Sequence, residues 1–159
     1  VSDSGLYVRF EAKGGEPLVV SEKADLTKKT MGLWDRDVVE IFVAPDAKEP
    51  RKYFELEVAP TGEWLDVAID LTSGTRQSDW EFSSQMTTAA RIENDCVIMA
   101  MRIPWSASIH QPQKGERWRV NLFRCVAPDP ILRYLAWQPT RTPEPLFHVP
   151  QVFGWLIFE

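Results

Sequence analysis

The chain has 159 residues, with 18 lysines and arginines against 23 aspartates and glutamates, and its formal net charge is −5. This balance excludes the basic field with which nucleic-acid-binding proteins hold a phosphate backbone, so no nucleic-acid partner is expected. The length predicts a single domain over residues 1–159, and no apolar run approaches the roughly 20 residues that a membrane span needs.

Apolar and polar residues alternate with period two along most of the chain, while helical periodicity is nearly absent, which predicts an all-β fold. In the first strand Leu6, Val8 and Phe10 alternate with polar residues, and Gly14-Gly15 then turns the chain. The opening VSDSGLYVRF is typical of the end of one strand, a turn and the next strand. It leaves room for a leader and a first strand before residue 1.

Two consecutive predicted strands carry carboxylates on their less apolar faces. Glu40 lies in the strand Asp37 to Ala44, and Glu55 and Glu57 lie in the strand Lys52 to Ala59. If the two strands pair with these faces aligned, the three carboxylates share one surface.

A tight turn at Pro60-Thr61-Gly62 leads into a third strand, Glu63 to Ile69, so these three strands are predicted to form a meander. The polar segments Ser21 to Gly32 and Leu71 to Asp79 are predicted as loops. The remaining predicted strands are Gln85 to Glu93, Cys96 to Ile103, Trp118 to Val126, Leu132 to Trp137 and a buried final strand, Val152 to Phe158. About nine strands without crossover helices predict a two-sheet antiparallel β-sandwich of jelly-roll or immunoglobulin-like architecture.

The segment Gln138 to Pro150, QPTRTPEPLFHVP, is rich in proline and cannot be a central strand, because proline provides no donor to a sheet. We predict a long ordered loop that carries Phe147 and His148. Long loops in compact domains are usually either functional or disordered. The two cysteines, Cys96 and Cys125, lie in predicted strands, where one disulfide and two buried free thiols are both compatible with the sequence.

Several segments, taken in order, resemble the family 9 carbohydrate-binding modules and the broader DOMON-like β-sandwich group. They are LWDRDVVEIFV, YFELEVAPTGEWLD, WRVNLFRC, AWQPT and FHVPQVFGWLIF. The resemblance implies a non-catalytic carbohydrate-binding domain from an extracytoplasmic, secreted or periplasmic, bacterial protein. Its partner would be an oligosaccharide or a polysaccharide end, held between two aromatic side chains that fall on Trp34 and Phe147. The position at which sugar-binding members present an arginine falls on Glu55.

A pyranose offers apolar C–H faces and a rim of hydroxyl groups, so its site needs aromatic planes and planar polar side chains. Trp34 and Phe147 would supply the planes, although packing roles explain both residues as well. Arg124, in mid-strand among apolar residues, would complete the site or form an ion pair with Glu40 or Glu55. The candidate ligand-binding residues are Trp34, Asp35, Asp37, Glu40, Glu55, Arg124, Trp137, Phe147 and His148.

Three other functions remain open. Glycoside hydrolysis needs two carboxylates roughly 5 to 10 Å apart, but a small sandwich with nothing to enclose a substrate is not expected to be an enzyme. Some DOMON-like domains hold a b-type haem between a methionine and a histidine, for which Met31 and His148 are the candidates. A structural module without a ligand is the third alternative.

Calcium is considered because family 9 modules often bind it, with Asp46, and Asp66 together with Asp70, as candidate ligands. The sequence has no EF-hand spacing or other dense loop of oxygen ligands. No cofactor is predicted from the residues alone.

Overall fold

The computed structural model describes residues 2–13, 17–127 and 133–159, and within these ranges ten strands form two antiparallel sheets. The predicted all-β sandwich is confirmed. The predicted turn at Gly14-Gly15 and the start of the Leu132 strand lie outside the described residues. The strands are Gly5–Lys13 (β1), Val38–Ala44 (β2), Lys52–Val58 (β3), Trp64–Asp70 (β4), Gln77–Asp79 (β5), Thr87–Glu93 (β6), Cys96–Pro104 (β7), Arg117–Val126 (β8), Arg133–Ala136 (β9) and Gly154–Ile157 (β10).

The smaller sheet has the order β1-β7-β6, and the larger sheet has the order β10-β8-β2-β3-β4-β5. Strand β9 also pairs with β8, so β9 and β10 lie end to end along one edge of that strand. The helical segments of the described residues are two single 3₁₀ turns, Leu33–Asp35 and Pro150–Val152. Neither turn has the length or the apolar content that a membrane-spanning helix requires.

The predicted meander is present as β2-β3-β4, and its register aligns the acidic faces of the first two strands. Glu40 lies opposite Glu57, and Phe42 lies opposite Glu55. Because residues that are opposite each other point to the same face, Glu40, Glu55 and Glu57 share one face of the larger sheet.

The larger sheet is buried on both faces. Its inner face packs against the smaller sheet in the main core, which includes Ile41, Leu56, Met101, Ile103 and Trp118. Its outer face carries Phe42, Tyr53 and Phe123, which pack with Phe153 and Phe147. Burial on both faces explains how carboxylates on a strand face come to lie within the protein.

Two predictions of local structure were wrong. Residues Gln77–Asp79 form an edge strand, β5, in place of the end of a polar loop. The final strand was predicted to be buried, but Trp155 and Ile157 are about half exposed. Strand β10 pairs with β8 on one side, and its alternate side chains point away from the core.

Lys29 attaches the loop before Trp34 to the larger sheet. Its Nζ lies 2.7 Å from Oδ1 of Asp66, whose side chain is fully buried in β4. The same ammonium donates hydrogen bonds to the carbonyl oxygens of Asp66, Trp80 and Phe82. Oδ2 of Asp66 accepts hydrogen bonds from the backbone N–H and the hydroxyl of Ser84. Asp66 lies opposite Leu56 and therefore points to the inner face of the larger sheet, so one ion pair joins three segments of chain on that side.

We expect Lys29→Ala to destabilise the protein by about 3 kcal/mol, because it leaves a buried carboxylate without its cation. Urea denaturation of the variant and the parent protein measures the difference.

Lys28→Ala is the matched control, since Lys28 is exposed and its pair with Asp25 lies at the surface. Its expected cost is below about 1 kcal/mol. Equal losses of stability in the two variants would contradict a structural role for the Lys29–Asp66 pair.

Candidate functional site

A cavity of about 300 Å³ opens on the outer face of the larger sheet. Its floor comes from strands β2, β3, β4 and β8, and its sides come from the 3₁₀ turn, from β5 and the residue that follows it, and from the proline-rich loop. The lining residues are Trp34, Glu40, Phe42, Glu55, Ile69, Arg76, Ser78, Trp80, Cys125, Tyr134, Pro145, Leu146, Phe147 and His148.

Two tryptophans form one side of this cavity. Gly32 adopts a left-handed backbone conformation, with φ of +76°, at the start of the 3₁₀ turn that carries Trp34. The ring centroids of Trp34 and Trp80 lie 6.3 Å apart at an interplanar angle of 37°. Trp34 also packs against the buried cluster around Leu33, so its packing role and its position in the cavity coexist.

Phe147 lines the cavity and also attaches the proline-rich loop to the sheet. Its ring stacks on Phe123, with centroids 4.0 Å apart and an interplanar angle of 14°, and it meets Tyr134 edge to face. Since one face of the Phe147 ring is covered by Phe123, most of this ring serves packing. The structure does bring Trp34 and Phe147, 113 positions apart in the sequence, to the same cavity.

His148 connects the loop to the floor of the cavity. Its Nδ1 is hydrogen bonded to the hydroxyl of Tyr53 at 2.6 Å, and its Nε2 lies 3.9 Å from Oε2 of Glu55. Burial, with a smaller contribution from Arg76, lowers the pKa of His148 to about 4. The imidazole is therefore neutral at neutral pH and can exchange hydrogen bonds with a polar ligand.

Three carboxyl groups lie together at the floor, where Glu40 and Glu55 line the cavity and Glu57 is outside its lining. Glu40, Glu55 and Glu57 are 1%, 7% and 0% exposed, and one oxygen from each lies within 4.8 Å of the others. Burial raises the pKa of each carboxyl group, and the charge of Glu55 raises the pKa of Glu40 further. The thiol of Cys125 lies 3.5 Å from Oε1 of Glu40 and donates to it.

The structure does not bring Arg124 or Trp137 to this cavity. Arg124 lies opposite Val39 and points to the inner face, because it alternates with Phe123 and Cys125 on the outer face. Its Nη1 donates to the carbonyl oxygen of Lys13, so the predicted ion pair with Glu40 or Glu55 is absent among the described residues.

Trp137 lies in a separate apolar depression, which it lines together with Trp155. Its ring packs directly against Gly154, where a side chain would have no room. Asp35 is the exposed last residue of the 3₁₀ turn and is outside the cavity lining. Asp37 is buried, and its Oδ2 accepts a hydrogen bond from the backbone N–H of Val19, which holds that segment in place.

The residues predicted for other functions lie apart from one another. Met31 is half exposed and lines a different surface depression from His148, so the two haem-ligand candidates do not share a cavity. Cys96 and Cys125 are free thiols in different sheets.

The predicted calcium ligands already have partners within the chain. Asp46 accepts a hydrogen bond from the backbone N–H of Lys48, and Asp70 accepts hydrogen bonds from the backbone N–H and the hydroxyl of Thr72. Asp66 is paired with Lys29.

The lining residues that sequence reasoning missed include Arg76, Trp80, Cys125 and Tyr134. Cys125 could have been found, because alternation along β8 places it on the face opposite Arg124. Trp80 follows a short edge strand, and Tyr134 lies in β9 at the other end of the cavity. Trp80 and Tyr134 reach the cavity only because distant segments fold over the sheet. The local sequence has no signal for that folding.

Comparison with known proteins identifies the family. The sequence model described as "Carbohydrate-binding family 9" matches residues 18–158. A protein from Arthroderma benhamiae named "Extracellular protein" is 24% identical over 169 residues, which cover 96% of this chain and 73% of that protein.

Two solved structures of a family 9 carbohydrate-binding module from Caldicellulosiruptor kristjanssonii share the fold. The complex with glucose has a TM-score of 0.66 at 15% identity, covering 99% of this chain and 72% of that chain. The complex with cellotriose has a TM-score of 0.67 at 15% identity, covering 99% of this chain and 70% of that chain.

The raised pKa of Glu57 leads to a prediction about stability and pH. A carboxyl group whose pKa is raised by folding stabilises the protein fully below its unfolded pKa of about 4.3, and this contribution is lost as the pH rises through the folded value. Glu57→Gln removes that loss, so its melting temperature should fall less than that of the parent protein between about pH 6 and about pH 9. Each pKa unit of displacement corresponds to about 1.4 kcal/mol.

Thermal unfolding in buffer containing a chelator measures both curves. Glu63→Gln is the matched control, because Glu63 is also buried but its oxygens accept hydrogen bonds from Thr30 and Thr61. Parallel curves for Glu57→Gln and the parent protein would show that this carboxyl group does not titrate as its burial requires.

Proposed function

The chain belongs to carbohydrate-binding family 9, and on this basis we propose that the cavity beside Trp34 holds the end of an oligosaccharide or polysaccharide in a non-catalytic sugar-recognition domain. The observation that carries the proposal is the meeting of two tryptophans with buried polar side chains in one cavity.

The size of the cavity supports a short ligand segment. Pockets for small ligands commonly enclose about 300–1,000 Å³, and this cavity, at about 300 Å³, lies at the lower limit. Such a volume favours the end of a sugar chain over a long stretch of it. The glucose and cellotriose bound by the similar structures are ligands of this kind.

The chemistry of the lining supports a ligand with both apolar and hydroxyl faces. Trp34 and Trp80 offer aromatic surface for the C–H face of a pyranose. Glu40, Glu55 and His148 offer groups that can exchange hydrogen bonds with its hydroxyls. Arg76 lies in the same lining and provides a cation near Glu55, the position at which the family pattern has an arginine.

The carboxyl groups favour binding over catalysis. A glycosidase needs one protonated carboxylic acid and one ionised carboxylate on opposite sides of the scissile bond. Here burial raises the pKa of all three groups, and their oxygens lie together within 4.8 Å. The three groups therefore lie side by side on one face of the sheet and do not face each other across a cleft.

An extracytoplasmic location, secreted or periplasmic, accompanies this proposal. It is supported by the family and by the name "Extracellular protein" of the relative from Arthroderma benhamiae. Polysaccharides are encountered mainly outside the cell membrane, which is where a domain of this class would meet its ligand.

We expect Trp34→Ala to weaken the binding of cellotriose at least tenfold, about 1.4 kcal/mol, because it removes one stacking surface. Isothermal titration calorimetry measures the affinity. Trp80→Ala, a change at a more exposed ring, should also weaken binding.

Trp155→Ala is the control, since Trp155 is half exposed and lies outside the cavity. Its affinity should equal that of the parent protein. Unchanged binding in both Trp34→Ala and Trp80→Ala would remove the tryptophan pair from the site. An absorbance spectrum of the same sample should lack a Soret band, whose presence would favour the haem alternative.

A further inference from the structure

Glu57 is a buried carboxyl group that the sugar-binding proposal does not use, because it lies behind the lining of the cavity. Its side chain is fully buried, no donor group among the described residues hydrogen bonds to either carboxyl oxygen, and the group with which it can share a proton is the carboxyl of Glu55. A buried carboxylate without a partner is strongly unfavourable, so it has to bind either a proton or a cation.

The groups that face Glu57 are mostly acidic. Glu40 lies directly opposite it on β2, and Glu55 precedes it by two residues on the same face of β3. Asp35, in the 3₁₀ turn, raises the pKa of Glu57, as these two carboxylates do. Two residues of the segments that cover this face interact with Glu55. Arg76 lowers the pKa of Glu55, and Nε2 of His148 lies 3.9 Å from its Oε2.

We propose that Glu40, Glu55 and Glu57 form a binding site for one calcium ion at the base of the cavity. One oxygen from each side chain lies within 4.8 Å of the other two. Calcium binds oxygen ligands at about 2.3–2.6 Å, so ligands on opposite sides of the ion are about 4.6–5.2 Å apart. The three carboxylates therefore fit within one calcium coordination sphere.

The arrangement favours calcium over the other common divalent ions. Magnesium binds oxygens at about 2.0–2.1 Å in a strict octahedron and usually keeps several of its waters. A deeply buried cluster leaves little room for those waters. Zinc and copper favour thiolate and imidazole ligands. Burial raises the pKa of the Cys125 thiol, which keeps it protonated, and Nδ1 of His148 is already hydrogen bonded to Tyr53.

The cluster is accessible from one side. Glu40 and Glu55 line the cavity, whereas Glu57 lies behind them. An ion can therefore enter through the cavity, and water there can complete its coordination. This site is separate from Asp46, Asp66 and Asp70, whose carboxylates are bound within the chain.

The test uses the full chain, freed of metal by a chelator and held near pH 8 without sugar. Terbium titration, with tryptophan excitation, should give saturable luminescence at one ion per chain, since Trp34 and Trp80 line the cavity above the site. Calcium should displace the terbium, and calcium should raise the melting temperature relative to chelator.

Glu57→Gln should weaken calcium binding at least tenfold, since it removes one of three charged ligands while it preserves the shape of the side chain. Glu63→Gln, a change at a buried glutamate outside the cluster, should bind calcium as the parent protein does. Absence of saturable binding in the parent protein, or equal binding in both variants, would overturn the proposal and leave protons as the occupants of the cluster.

The melting temperature of the parent protein with and without calcium gives a second readout that needs no variant. Because Glu57 does not line the cavity, titration of the same samples with cellotriose tests the proposed function separately. Calcium binding without sugar binding would count against the proposed function alone, and sugar binding without calcium binding would count against this site alone.

Discussion

The burial of three carboxyl groups on two neighbouring strands is the constraint on which the rest of the site depends. The β2–β3 register places Glu40 opposite Glu57, with Glu55 beside them, on a face that also carries the buried rings of Phe42, Tyr53 and Phe123. An open sheet face would leave these groups in water at little cost. This face is covered, and the covering raises the pKa of each carboxyl group and defines the chemistry of the cavity.

The cover consists of segments that are far apart in the sequence, and each has its own attachment. Leu33 inserts beside Trp34 into a buried cluster, Lys29 pairs with Asp66, and Phe147 stacks on Phe123. The cavity is the gap that these attachments leave above the carboxyl groups. Packing and a position in the cavity lining are therefore combined in the same side chains, most clearly in Trp34 and Phe147.

Membership of the carbohydrate-binding family accords with this construction. A rigid sheet presents the polar floor, and aromatic rings on short connections present the stacking surface, so that a sugar would meet groups whose positions are set before it arrives. The carboxyl cluster extends below that surface, where a proton or a cation is required even when no sugar is present. The proposed sugar recognition and the compensation of buried charge would thus be neighbouring but distinct tasks of one sheet face.

The sequence by itself determined the all-β sandwich, nearly every strand, and which residues of one strand share a face, such as Glu55 and Glu57, because alternation with period two is a local property. The pairing of β2 with β3 then brought Glu40 to the same face. The sequence also indicated Trp34 and Phe147 through resemblance. Only the tertiary structure decided that Trp137 packs on Gly154 and that Trp80 and Tyr134 reach the cavity. The physical reason is that a strand pattern specifies which residues share a face, whereas the site is formed by loops whose positions depend on long-range packing.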